Sequence, residues 1–466
     1  MKKSNKNTRR SFVKKITAGA IGASLLPSSA AGAKNIQTIE WERPKTKYSA
    51  NDKIRVAAIG MGIMGFNNCK SAVKVPGVEL VATCDLYDGR TERSREVFGK
   101  HLFTTRSYEE ILAREDIDAV IVSTSDHWHD HVAIAAMQAG KAVYCEKPMV
   151  QHIEEGMPLV EAQRKAGKVL QVGSQRVSSL VLKKAKELYE QGVIGQLITV
   201  EAWNDRQSPM GAWQYSIPTD ASEQTVDWER FIGDAPKRSF DPVRFFRWRN
   251  YRDYGTGVAG DLFVHLFSGL HFVTSSVGPR RIYASGGLRY WKDGRDAADI
   301  MTALFDYPET KAHPAFNFQL RVNLISGTGG SQMTRLVGTD GVIEIGWSQV
   351  VLRRNKVPAR PGYGGWDTFD TFTAAQQKKY EEWYKKEYPP LAPQIEEPAE
   401  AVYKTPKGYS EHVAHHANFF DCIREGRKPV EDAVFGLRAA APSLAANLSY
   451  YGQKVVNWNG EKMVMG

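Results

Sequence analysis

Three groups of residues in this 466-residue chain have types and spacings suited to chemistry. The first is Gly60-Met61-Gly62-Ile63-Met64-Gly65, which follows a largely apolar run from Ile54 to Ile59 and opens a helical pattern. A strand, a glycine turn and a helix N-terminus in that order make a cradle for a pyrophosphate. Gly60 permits the turn, Gly62 lets the backbone N–H groups around Ile63 and Met64 approach the phosphates, and Gly65 lets the helix close on the strand. A second run, Glu79 to Cys84, ends in Asp85, at the distance of about 20 residues that the dinucleotide fingerprint requires. A carboxylate there accepts from both ribose hydroxyls and repels a 2′-phosphate, so the pattern points to NAD in preference to NADP.

The second group lies at the ends of two further apolar runs, where ligands bind in open parallel sheets. Ala119 to Ser123 leads into Thr124-Ser125-Asp126-His127-Trp128-His129-Asp130-His131; Thr124, Asp126, Trp128 and His131 are candidate cofactor contacts, with Trp128 and His129 flanking the nicotinamide. Ala142 to Cys145 leads into Glu146-Lys147-Pro148, where Glu146 and Lys147 join the same site and Pro148 fixes a turn. A lysine in that place can touch both the nicotinamide ribose and a substrate hydroxyl, stabilising a developing alkoxide. The third group is Asp261 and His265, whose i,i+4 spacing puts both on one helix face. A near-neutral imidazole can take a hydroxyl proton while hydride leaves the carbon, with Asp261 orienting it or sharing the proton. The same spacing serves equally to brace a helix.

The elements that must position these groups follow from periodicity. From Lys53 to about Gly173, apolar runs without alternation, such as Ala119-Val120-Ile121-Val122, alternate with helical patterns, as in a doubly wound parallel sheet covered on both faces. After a helix over 178–191 the pattern changes. Phe316, Phe318, Leu320 and Val322 alternate with Asn317, Gln319, Arg321 and Asn323, the signature of a sheet with one covered face. Longer strands are expected near 197–203, 282–285 and 299–305 as well, with glycine hairpins at 326–331 and 338–341. Residues 352–408 read as an insertion around a charged helix, Ala374 to Lys386, and residues 410–451 as a helical C-terminus. The expected fold is α/β: an N-terminal Rossmann domain at 53–175, then an α+β domain with an open, mainly antiparallel sheet at 176–466.

Composition narrows the classes. The first 33 residues carry seven Lys and Arg and no acid; subtracting those seven from the net charge of +10 leaves +3, too little for a nucleic-acid footprint. Arg9-Arg10 in Thr8 to Lys14, the short apolar run Ile16 to Leu26 and Ala31-Gly32-Ala33 form a twin-arginine export leader cut after about Ala33, which implies the Tat machinery and a periplasmic location. Residues 34–52 are a polar linker in which Trp41 and Pro44 dock on the body. No run is long enough to span a bilayer. Cys69, Cys84, Cys145 and Cys422 fall in strand or helix patterns and read as buried thiols. His127, His129 and His131 lack a zinc-type spacing, and His412 with His416 reads as structural, so no metal is expected.

Taken together, the glycine motif, Asp85, Cys145-Glu146-Lys147-Pro148 and the Asp261/His265 pair resemble the Gfo/Idh/MocA oxidoreductases over about Lys53 to Gln349, and again at His415 to Pro429. The resemblance implies that Lys147 is the catalytic lysine, Asp261 its aspartate and His265 the base. Further likeness to exported, sugar-directed members implies a sugar or glycoside substrate, oxidation at carbon 3 to a 3-keto sugar, and a polar, aromatic site from Gln175, Arg176, Trp213, Arg247, Arg249 and Tyr254. It also implies a homo-oligomer, dimer or tetramer. The same superfamily holds NAD-dependent glycosidases that oxidise transiently, eliminate and reduce back; that group is understood to lack the EKP lysine. A non-enzymatic sugar-binding protein on this fold is the third alternative.

Overall fold

Six short strands lie between residues 54 and 172; Ala119–Val122, Ala142–Cys145 and Leu170–Val172 are buried along their whole length, as runs covered by helices on both faces must be, and Ile54–Ile59 nearly so. In a computed structural model that describes residues 35–42, 53–354, 360–389 and 400–466, all six form one parallel sheet. Its order is Phe103–Thr105, Val78–Cys84, Ile54–Ile59, Ala119–Val122, Ala142–Cys145, Leu170–Val172, the Rossmann order, with the chain reversing direction across the sheet between Ile54–Ile59 and Ala119–Val122. The proposed leader and most of the linker lie outside the described residues.

The second sheet has eleven strands among the described residues: Asn35–Thr38, Glu400–Lys404, Gln349–Arg354, Gly341–Ile345, Ser331–Gly338, Leu197–Asp205, Phe316–Asn323, Ile300–Tyr307, Arg281–Gly287, Val456–Asn459 and Val464–Met465. Pairing is antiparallel except for Asn35–Thr38 with Glu400–Lys404 and Phe316–Asn323 with Leu197–Asp205. Phe316, Phe318, Leu320 and Val322 are buried and Asn317, Gln319 and Arg321 exposed, as the alternation required. Helices Leu180–Glu190, Val264–Thr274 and Ala433–Gly452 cover the apolar face, joining one core with the inner residues of the first sheet. Among the described residues no helix is long and apolar enough to cross a membrane.

Four expectations change. The glycine stretch 326–331 is not a hairpin, because the strands it joins, Phe316–Asn323 and Ser331–Gly338, pair with opposite edges of Leu197–Asp205 and not with each other. Part of the linker is a strand: Asn35–Thr38 adds to the sheet edge, and Trp41 packs edge-on against Tyr409 with ring centroids 5.2 Å apart. The stretch expected to be an insertion returns to the sheet as Glu400–Lys404, and around its charged helix, Ala374–Glu387, Tyr363, Phe369 and Tyr380 form an aromatic cluster. The C-terminal helical region is two helices, and the first, Glu411–Glu425, serves the N-terminal domain: Phe419 and Phe420 are fully buried with Ile54, Val56, Ile121 and Tyr144. Four buried free cysteines match the sequence reading.

Because Phe419 fills the nucleotide-binding core from 275 residues beyond Tyr144 in sequence (419 − 144), Phe419→Ala should cost about 3–5 kcal/mol, the range for emptying a buried phenylalanine site. Urea denaturation followed by fluorescence checks this; an unchanged midpoint would show that the helix is only appended.

Candidate functional site

The glycine turn is built by close approach. Gly60 has φ +90, and a Cβ there would lie 2.5 Å from the Ser123 carbonyl oxygen, while a Cβ on Gly65 would lie 2.0 Å from that of Gly60. Gly62, at the helix N-cap, faces open space with no atom within 4 Å of its ideal Cβ. Two of the glycines are thus demanded by packing and the third by whatever fills the space above it, which fits a pyrophosphate. Asp85 is buried and fixed: one carboxylate oxygen accepts from the Met61 N–H at 2.7 Å, the other from the Tyr87 N–H at 2.9 Å, and Arg90 approaches at 3.4 Å. The residues present therefore fit NAD, with the acid held at the ribose end by the same loop that cradles the phosphates.

A cleft of about 1160 Å³, open to solvent, runs along the ends of the parallel strands. Of the predicted cofactor contacts, Gly60, Gly62, Ile63, Met64, Asp85, Thr124, Asp126, Trp128, Glu146 and Lys147 line it, as does His129. Gly65 lies behind the turn as packing. His131 does not line it; its Nδ1 binds its neighbour Asp130 at 2.9 Å. His127 turns the other way, its two ring nitrogens meeting the Phe231 and Tyr254 carbonyls at 2.8 and 3.3 Å, and burial pushes it down to about 4. Among the described residues no three His, Cys, Asp or Glu side chains are grouped to hold a metal.

Lys147 and Asp261 meet from opposite domains. The buried ammonium donates to the Asp261 backbone carbonyl and to its Oδ1, both at 2.8 Å, and Arg249 Nε donates to the same Oδ1 at 3.3 Å. Burial would raise the Asp261 carboxyl, but the Lys147 and Arg249 cations outweigh it and hold the group well below the usual carboxylate range. Asp261 lies in a π-helical turn, Ala259–Phe263, immediately before the regular helix Val264–Thr274. A wider turn breaks the i,i+4 register, so Asp261 binds the lysine instead of orienting His265 as the spacing suggested. His265 Nδ1 has no partner, and burial, reinforced by the Lys147 charge, pushes the imidazole well below its ordinary range.

The expected sugar-site residues divide. Arg249 lines the cleft, stacked 4.2 Å over Trp248. Gln175 instead donates to Glu146 at 2.8 Å and to the Tyr144 hydroxyl at 2.9 Å, bracing the Glu146 carboxylate from behind. Arg176 donates to the Trp347 and Gly346 carbonyls and pairs with Glu411, Trp213 is buried in the main core, and Tyr254 is buried in an aromatic cluster; none of the three lines the cleft. Arg247 is held by the Tyr215 carbonyl and by Gln214.

Sequence reading missed Tyr215, Phe231, Phe245, Phe246 and Trp248, which line the cleft from a segment after Leu197–Asp205. This segment is pinned at both ends of the cleft. At one end Asp227 N donates to Leu86 O at 2.8 Å, Asp88 N to Thr225 O at 3.0 Å, and the Tyr87 hydroxyl to Asp220 at 2.6 Å. At the other end Trp128 Nε1 donates to Phe231 O at 2.9 Å, and Asp126 accepts from the Thr256 N–H and hydroxyl at 3.0 and 2.7 Å. Its aromatic density was the one available signal. Asn68 was also missed: fully buried, it donates to Glu146 at 2.9 Å and to Ser123 at 3.0 Å.

Fold and cleft together define a two-domain architecture: a parallel sheet of the dinucleotide-binding type facing a large, mainly antiparallel sheet. Residues 54–174 match the Gfo/Idh/MocA oxidoreductase family, NAD-binding Rossmann fold, so the likeness to that family is carried by the first domain. The chain is 30% identical over 149 residues to inositol 2-dehydrogenase of Salmonella typhimurium, covering 32% of this chain and 44% of the relative. It is 32% identical over 215 residues to glycosyl hydrolase family 109 protein 1 of Shewanella sp. strain ANA-3, covering 42% and 45%. The chain thus spans less than half the length of these curated relatives. Among solved structures, the WlbA dehydrogenase of Bordetella pertussis in complex with NADH and UDP-GlcNAcA superposes with TM-score 0.62 at 19% identity, covering 87% of this chain and 99% of that one. Levoglucosan dehydrogenase in complex with NADH and levoglucosan gives 0.61 at 18% identity, covering 87% and 99%, so the fold is shared across both domains.

The glycines separate stability from binding. Gly62→Ala, whose new methyl enters the open cradle, should leave unfolding stability within about 1 kcal/mol, yet weaken NAD at least about tenfold, roughly 1.4 kcal/mol. Gly65→Ala should instead destabilise the fold by roughly 3 kcal/mol through its backbone clash. Titration calorimetry with NAD and thermal melting of the two variants check the contrast, which equal behaviour would refute.

Proposed function

We propose that this protein is an NAD-dependent oxidoreductase acting on a hydroxyl of a sugar or glycoside, with carbon 3 as the position oxidised. The observation that carries the reading is the Lys147 ammonium, held at the cleft wall by two oxygens of Asp261. An ammonium has three donors; Asp261 takes two, leaving one to aim at a substrate oxygen in the cleft. That donor stabilises the oxygen as negative charge grows on it. His265, kept neutral at rest, receives the hydroxyl proton, and returns it in the reverse direction. Bound NAD supplies the hydride acceptor for this oxidation. Arg249, beside Lys147 on the same carboxylate oxygen, forms with Trp248 and Tyr215 the polar and aromatic surface that orients a sugar ring. Relatives named for inositol, levoglucosan and aldose substrates support a polyol or sugar.

The segment bonded across both ends of the cleft supports tight cofactor retention, with a second sugar, ketone or electron carrier restoring the oxidised state. Retention suits the location we propose, the periplasm, reached by twin-arginine export of the folded, loaded protein. We also propose a dimer or tetramer. A second reading, the redox-neutral glycosidase, is favoured by the family 109 relatives; the buried Lys147 supports the dehydrogenase.

Titration of the purified protein with glucosides, disaccharides and free sugars, followed at the reduced-nicotinamide absorbance band, tests the reading. The expected outcome is growth of that band with one sugar and a 3-keto product. Release of aglycone with no net absorbance change would establish the glycosidase, and silence across the panel would refute both. In the same assay Lys147→Met, which keeps the stem and leaves Asp261 paired to Arg249, should retain bound NAD and lower the reduction rate about 10²–10³-fold, as for loss of one charge-stabilising donor.

A further inference from the structure

Glu431 lies outside every motif read from the sequence and away from the cleft, yet it is fully buried at the junction behind the active site. Its Oε1 lies within hydrogen-bond distance of the Ser174 hydroxyl at 3.0 Å and the Ser268 hydroxyl at 3.2 Å, and those two hydroxyls are 3.2 Å apart. Its Oε2 is buried without a partner. Its carbonyl accepts from the Val172 N–H at 3.0 Å. The two serines belong to the two arms of the proposed catalytic apparatus. Ser174 follows Gly173, whose N–H binds the Cys145 carbonyl at 2.7 Å, two residues before Lys147. Ser268 sits on the helix Val264–Thr274, one turn beyond His265.

We propose that Glu431 is a positioning residue that ties the strand end carrying Lys147 to the helix carrying His265, fixing the distance between the cation and the base. This rests on the oxidoreductase reading above. As a neutral acid, Glu431 completes a closed chain of three oxygens in which each donates once and accepts once. As a carboxylate it would place a buried charge against two neutral hydroxyls, with Oε2 unmet in either state. Burial, with Asp432 and Glu146 nearby, pushes the carboxyl up to about 8. The titratable groups on the elements around it are Asp432 on its own segment, Tyr144 and Cys145 on the strand Ala142–Cys145 and Glu146 just after it, His415 on the helix Glu411–Glu425, and His265 and His271 on the Ser268 helix. None of its hydrogen-bond partners is a cation, so nothing compensates ionisation.

The sign follows from proton uptake. Between the ordinary carboxyl value and about 8 the folded state binds more protons at Glu431 than the unfolded state, so stability falls as pH rises through that window. The test uses the full chain with bound NAD, comparing wild type, Glu431→Gln and Glu431→Leu from pH 6 to 9.5 with a sugar that reduces the wild-type cofactor. Glu431→Gln should keep the neutral-pH rate within about threefold, lose the wild-type decline above about pH 8, and show a smaller fall in melting temperature with pH. Glu431→Leu, which cannot bridge the serines, should lose about tenfold or more in kcat with KM and NAD content within about twofold. A Leu variant with unchanged kcat, or a Gln profile superimposing on wild type, would overturn the positioning role alone. A wild type inert to every sugar would overturn the oxidoreductase reading and this proposal with it.

Discussion

An ammonium and a carboxylate, each less than a tenth exposed, face one another at 2.8 Å where the two domains meet. Removing either charge from water costs several kcal/mol, and the attraction repays that only if geometry is good and the remaining polar atoms are satisfied. Here the Asp261 carbonyl takes a second Lys147 donor and Arg249 a share of the carboxylate. Loss of one partner from a buried pair costs about 3–5 kcal/mol, because the survivor stays uncompensated. The pair therefore sets where the domains can sit. Any separation that exposed the cleft would pull Lys147 from Asp261.

Other connections run in both directions across this junction. The helix Glu411–Glu425, from the far end of the chain, fills the nucleotide-binding core, and the segment from Asp220 to Thr256 reaches from the second domain to the strand ends of the first. Neither domain has a complete core or cleft alone. The consequence is a cleft walled by two domains, with the glycine turn and Asp85 on one side and Tyr215, Phe231, Phe245, Phe246 and Trp248 on the other.

What was legible in the sequence was what depends on local rules. The glycine turn, the strand-end position of Lys147, the period change after residue 191 and the alternation of Phe316 to Val322 each follow from backbone sterics or side-chain periodicity within a few residues. What escaped depends on contacts distant in sequence. Gln175 and Arg176 have the polarity of substrate residues, but their donors are spent on Glu146 and on the Gly346 and Trp347 carbonyls. Trp213 and Tyr254 are aromatic for packing. The strand Glu400–Lys404 was hidden because five residues in a charged, proline-containing stretch carry too little periodicity, and its partner Asn35–Thr38 lies some 360 positions away. Even the Asp261–His265 spacing misled, because a single π-turn changes which side chains meet while leaving the count between them unaltered.

That turn bears on the proposed chemistry. With Asp261 hydrogen-bonded to Lys147, its charge raises the proton affinity of His265 less than burial and the neighbouring ammonium lower it. At rest the proposed base is neutral and weak. An imidazolium beside Lys147 is costly in a buried site, but the cost falls as negative charge grows on a substrate oxygen lying between the two groups, since that charge attracts both cations. Proton transfer to His265 is thus favoured only when the oxygen is already becoming an alkoxide under the Lys147 donor. Weak basicity at rest is then what couples proton removal to departure of the hydride, and it explains why the distance between Lys147 and His265, and whatever holds it, matters more than the strength of either group alone.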